Sequence, residues 1–64
     1  MKLVELTEVY YGEAIGTILV NPKIICWVRG RQSYSVVVIS LDGEEYFTVS
    51  ETPEEIVKLL EECE

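Results

Sequence analysis

Apolar and polar positions alternate in short runs separated by glycine, proline or clusters of polar residues, and only the C-terminal segment changes to a helical spacing. Residues 2–10, Lys-Leu-Val-Glu-Leu-Thr-Glu-Val-Tyr, predict a first strand that stops where Tyr11-Gly12-Glu13 supplies a turn. Residues 14–20 predict a second, with Gly16 marking a bulge or sharp bend and Asn21-Pro22 ending it, because proline has no amide proton to give a ladder. A third strand over 24–29 is apolar on both faces through Ile24, Ile25, Cys26, Trp27 and Val28. Its end, Arg29-Gly30-Arg31-Gln32-Ser33, reads as an exposed hairpin tip.

The most continuous β-branched run spans 34–41, and Asp42-Gly43 behind it is a strong signal for a two-residue hairpin turn, which needs positive φ at both positions. A fifth strand over 44–49 then pairs so that Val38 faces Phe47, Val36 faces Val49, Ile39 faces Tyr46 and Val37 faces Thr48. On that register Val36, Val38, Phe47 and Val49 line a core. Val37, Ile39 and Tyr46 form a second apolar face that must be covered by the helix, by the third strand through Trp27, or by another chain.

The helix over 53–63 carries its own start signals: Thr52 as N-cap, Pro53 at the first helical position, and a glutamate three residues after the cap to close a capping box. Ile56, Leu60 and Cys63 share one side, with Val57 and Leu59 on its flanks, and Glu54, Glu55, Lys58, Glu61 and Glu62 take the other. The expected fold is mainly β (α+β): five short antiparallel strands as a bent sheet or small open barrel with one C-terminal α-helix, all in a single domain over 1–64.

Composition changes this picture in two ways. Sixty-four residues form one small domain near the lower limit for a solitary monomer, so a homo-oligomer, dimer or higher, is expected. The net charge is −7, and it is one-ended: residues 1–41 hold four basic and three acidic groups, whereas 42–64 hold nine acids and only Lys58. That balance disfavours nucleic acid and an anionic membrane surface as partners, and favours a protein partner. An acid at Glu5 interrupts any signal-peptide core and no apolar run approaches a membrane span, so the expected location is cytoplasmic. There Cys26 and Cys63 read as buried, reduced thiols.

Candidate chemistry is sparse. The chain has no histidine, no glycine-rich phosphate loop and no Gly-x-Ser-x-Gly elbow, so no catalytic residue, cofactor or metal is assigned and the protein is read as a non-enzyme. Binding residues are another matter. Tryptophan and tyrosine are enriched at interaction hot spots, and Trp27 with Tyr10, Tyr11, Tyr34 and Tyr46 is a large aromatic set for so small a chain, although Trp27 also suits the main core aromatic. Arginines beside an aromatic, as in Arg29-Gly30-Arg31-Gln32-Ser33-Tyr34, can hold an anion or simply solvate a hairpin tip. The candidate partner-binding residues are Trp27, Arg29, Arg31, Tyr34, Val37, Ile39, Tyr46, Glu54, Glu55, Glu61 and Glu62.

A Met-initiated opening strand, Asn21-Pro22 followed by Ile24-Ile25, Leu41-Asp42-Gly43-Glu44, and Val49-Ser50-Glu51-Thr52-Pro53-Glu54-Glu55-Ile56 running into a short helix together resemble the FlbD-like small proteins. These are encoded among bacterial flagellar genes, and similar chains are carried by phages and other mobile elements. The resemblance spans nearly the whole chain and implies a cytoplasmic, non-enzymatic accessory or regulatory protein that acts through protein contacts. A phage-encoded inhibitor would use the acidic helix face, imitating nucleic-acid phosphates. A looser similarity, in length and element order, is to the carbon storage regulator proteins, which would imply an RNA-binding dimer.

Overall fold

The computed structural model describes residues 3–62. Strands β1 (Val4–Tyr10) and β2 (Glu13–Val20) form an antiparallel hairpin joined by Tyr11-Gly12, where φ is 51° and 81°. Positive φ at both positions is the backbone of a type I′ turn, whose twist matches that of the strands. Glu8 faces Gly16 but Val9 faces Ala14, so Ile15 is an extra residue and the bulge expected at Gly16 is present.

After β2 the chain departs from the expected course. The Asn21 side chain accepts a hydrogen bond from the Lys23 amide at 3.0 Å, and Pro22 starts a 3-10 turn over Pro22–Ile24. Strand β3 therefore begins at Trp27, not Ile24, and runs to Gly30. Cys26 is exposed rather than buried, because the turn takes it out of the packed layer. Cys63 lies outside the described residues.

Strands β4 (Ser35–Val38) and β5 (Tyr46–Val49) are shorter than expected, and the two-residue turn between them does not form. Instead the Ile39 amide bonds the Glu45 carbonyl at 3.0 Å, closing a five-residue loop inside which the Gly43 amide reaches the Ser40 carbonyl. Asp42 Oδ1 accepts from the Ser40 hydroxyl at 2.7 Å and the Glu44 amide at 2.9 Å, while Ser40 Oγ accepts from the Glu45 amide at 3.0 Å. Short polar side chains that bond nearby backbone in this way stabilise the wider turn. The register slips by one: Ser35 faces Val49, Val36 faces Thr48, Val37 faces Phe47 and Val38 faces Tyr46. A one-residue slip moves every β4 side chain to the other face. Val37 thus lies in the core with Val49 and Phe47, and Val36 and Val38 face away from it.

The five strands make one antiparallel open sheet in the order β2-β1-β5-β4-β3, a meander whose last strand returns to its first and whose edges are β2 and β3. Helix α1 (Pro53–Glu62) covers one face. Its capping box is formed: Thr52 Oγ1 accepts from the Glu55 amide at 3.1 Å, and Glu55 Oε1 accepts from the Thr52 amide at 2.9 Å. Ile56 is fully buried among Val4, Leu6, Val20, Val37 and Val49, with Leu59 and Leu60 half-buried beside it, whereas Val57 is exposed. A Cβ at Gly30 would sit 2.9 Å from Pro53 Cγ, so glycine there lets the helix start close onto β3.

The seam between β1 and β5 has a single ladder pair, Glu8 with Val49. Side chains supply the rest. Both carboxylate oxygens of Glu51 accept from the Thr7 amide, at 3.0 and 3.1 Å, while the Ser50 amide bonds the Thr7 carbonyl at 2.9 Å. The Thr48 hydroxyl donates to the Val9 carbonyl at 2.6 Å, and the buried Ser35 hydroxyl donates to the Glu51 carbonyl at 2.6 Å. Among the described residues no buried side-chain polar atom lacks a partner. Glu51→Ala should therefore cost about 2 kcal/mol in urea unfolding, as expected when a charge-assisted bond is lost and a half-buried amide is stranded. Glu55→Ala, which removes only half of an exposed cap, should cost about 1 kcal/mol or less. Equal losses would show that Glu51 does not hold the seam.

Candidate functional site: a concave aromatic face

Residues two apart on a strand share a face. Trp27 and Arg29 on β3, Val36 and Val38 on β4, and Tyr46 and Thr48 on β5 accordingly lie together on the side of the sheet turned away from α1. The sheet bends around this side, leaving an open concavity of about 790 Å³. Val9, Val36 and Val38 form its apolar floor with Thr48 beside them, and the β1–β2 turn brings Tyr10 and Tyr11 to one wall. The β3–β4 turn, closed by the Arg31 amide on the Tyr34 carbonyl at 2.7 Å, brings Arg31 and Tyr34 to another. All four tyrosines and the only tryptophan of the chain converge here.

Trp27 is 40% exposed, so it is not the central core aromatic. Its indole lies along the β4–β5 loop, where a Cβ on Gly43 would be 3.5 Å from Cζ2. The rings of Tyr10 and Tyr11 meet edge to face with centroids 4.4 Å apart. Tyr11 is unusual in two respects: it is 89% exposed, and it is the one non-glycine among the described residues at positive φ. A bulky aromatic in that region is strained, and the type I′ position favours asparagine, aspartate or glycine. Strain kept without any burial to offset it is the kind of outlier that marks a functional position.

Of the candidate residues, Trp27, Arg29, Arg31, Tyr34 and Tyr46 are gathered on this face. Val37 and Ile39 are not. Val37 is fully buried and Ile39 packs half-buried against the core, both because of the register slip, and neither offers a surface to a partner from the concave side. Glu54, Glu55, Glu61 and Glu62 are exposed on α1, across the sheet from the concavity, with the Glu55 carboxylate engaged in the helix cap. Val36 and Val38, expected to line the core, turn to this face because of the wider loop, with Val38 buried at its floor, and the β1–β5 closure brings Val9 and Thr48 beside them.

Arg29 and Arg31 form no ion pair with any carboxylate among the described residues. Among the described residues no carboxylate, histidine or thiol lines the concavity. The face therefore provides aromatic planes, apolar floor, phenolic hydroxyls and two guanidinium forks, a set suited to recognition. Among the described residues no group of three His, Cys, Asp or Glu side chains could hold a metal ion, and no helix is long and apolar enough to cross a membrane. No protein-family model, curated protein or solved structure matches the chain.

Asp42, in the loop behind Trp27, has its carboxyl held below the usual 3.8, first by the Glu44 amide and then by the Ser40 hydroxyl. A carboxyl lowered by folding stabilises the folded state above its unfolded value, and that stabilisation fades as pH falls through the lower folded value. Asp42→Asn should thus be less stable than the unsubstituted protein at neutral pH, with the difference shrinking once the pH passes below 3.8. Urea midpoints taken across that range measure it, and a constant difference would show that the charge does not support the loop. Tyr11→Asn should stabilise the protein by about 1 kcal/mol, raising the thermal midpoint, because asparagine tolerates positive φ. A lowered midpoint would mean that the ring contributes packing that outweighs its backbone strain.

Proposed function

We propose that this protein is a non-enzymatic interaction module that docks a protein partner on the concave aromatic face of its sheet, as an accessory or regulatory protein of the cytoplasm. The observation that carries this reading is the gathering of every tyrosine and the tryptophan, from four separate segments, onto one uncovered face. Residues of these types dominate binding energy when they are desolvated at the centre of an interface. The role fits the FlbD-like proteins that the sequence resembles. The acidic face of α1 is the weaker candidate, because Glu55 is committed to the cap and Lys58 interrupts the charge. A nucleic-acid ligand is disfavoured by the net charge of −7. Self-association fits the same reading: β2 is an edge strand with Ile15 and Leu19 exposed, and a second copy could pair there without covering the concavity.

A photo-crosslinking side chain placed at Tyr46, on the concave face, should capture a protein in the source cell, and one placed at Val57, on exposed α1, should not. Capture from Val57 alone, or capture of nucleic acid from Tyr46, would overturn the proposal.

A further inference from the structure

Resting on the reading of the concave face as a protein-docking surface, we infer that the docked element is an extended acidic segment. It lies along the free edge of β3 with an aspartate or glutamate side chain held by Arg29 and Arg31. Three observations converge on that occupant.

The first is the edge itself. β3 pairs only with β4, and the hydrogen bond from the Arg31 amide to the Tyr34 carbonyl closes their hairpin. Hydrogen-bonded and non-bonded pairs alternate along an antiparallel ladder. Counting back from Arg31 and Tyr34, Arg29 and Trp27 bond β4, and the Val28 amide and carbonyl turn toward the open side. The Gly30 amide and carbonyl turn the same way, so an added strand would find two donors and two acceptors there, as in other complexes that extend a sheet.

The second is the side-chain row. Trp27, Arg29 and Arg31 follow one another at alternate positions and all line the concavity. Alternate residues of a strand stand about 6.5 Å apart, the repeat of any extended partner, so each second partner residue meets an aromatic or a guanidinium. Tyr34 and the strained Tyr11 stand at the rim, where rigid rings can close over such a segment.

The third is charge. The two guanidinium groups have no carboxylate partner among the described residues, and their planar forks match a carboxylate bidentately. At the Trp27 end of the row lies the 40–44 loop, whose Gly43 adjoins the indole and is followed by the exposed Glu44 and Glu45. A polynucleotide, charged at every residue, would run from two arginines into those acids, whereas a peptide can place its carboxylate opposite the arginines and uncharged residues elsewhere.

Trp27 is the only tryptophan and is partly exposed in the concavity, so its emission reports occupancy directly. The probes are a capped peptide of alternating valine and glutamate, the same peptide with lysine for glutamate, and an oligouridylate of equal length. The glutamate peptide should shift the emission saturably. Its affinity should fall about tenfold or more in the Arg29→Ala, Arg31→Ala double variant, in line with loss of a charge-assisted bond. The corresponding double lysine variant should recover part of the loss. Both arginines are exposed, and circular dichroism is the check that the variants fold. Equal binding of the lysine and glutamate peptides would overturn the inference while leaving the face as a docking surface. So would tighter binding of oligouridylate with a steep salt dependence, or no response to the glutamate peptide. Because crosslinking from Tyr46 is read separately, failure of the acidic-segment inference and failure of the docking face are distinguishable.

Discussion

The closure of β5 onto β1 is the constraint on which the rest of the molecule depends. Two blocks of sheet, the β1–β2 hairpin and the β3–β4–β5 meander, are joined through one ladder pair, Glu8 with Val49. The seam holds because side chains act as ladder partners: Glu51 receives the Thr7 amide with its carboxylate, Thr48 reaches the Val9 carbonyl, and Ser35 anchors the Glu51 backbone from beneath. Without that closure Leu6 and Val49 would not share a core with Ile56, and Tyr10 and Tyr11 would not stand opposite Trp27 and Tyr46. Stability and site geometry therefore rest on the same few polar contacts.

Division of the sheet into a packed face and an open face is set elsewhere, in the loop 40–44. Ser40, Asp42 and Gly43 make a turn three residues longer than the minimal hairpin, and the extra length decides which β4 side chains meet the helix. The difference is Val37 in the cluster beneath the helix, while Val36 and the buried Val38 line the floor of the open face. Gly43 has a second role, since its lack of a side chain lets the Trp27 indole lie against the loop and keep its other side open to the concavity. Charge follows the same division: the arginines belong to the open face, and much of the acid belongs to the far side of α1.

The open face conflicts with optimal stability in a consistent direction. Tyr11 sits where asparagine would be easier, Trp27 is withheld from a core short of large side chains, and β3 is left as an edge. Natural sequences depart from local rules mainly where binding requires it. All of these departures border one concavity, which is why that surface, rather than the well-capped and conventional helix, carries the functional reading.

Much of this was legible from local chemistry. The strand-turn-strand rhythm, the Gly16 bulge, the Thr52 to Glu55 capping box and the buried Ile56 stripe each depend on neighbours within a few residues, and interactions of that range are written in the sequence. The aromatic and arginine members of the candidate site were also visible as residue types, but not as one surface. Loop length between β4 and β5, the exposure of Cys26 and Trp27, and the seam formed by Glu51 came only with the tertiary structure. Each is decided by a competition between local turn chemistry and contacts across 39 or 44 positions of chain, such as Thr48 with Val9 and Glu51 with Thr7. The sequence by itself determined that five strands and one helix form and where the helix begins. Which face of each strand is buried was settled by packing, because strand periodicity is symmetric between its two faces until a partner layer covers one of them.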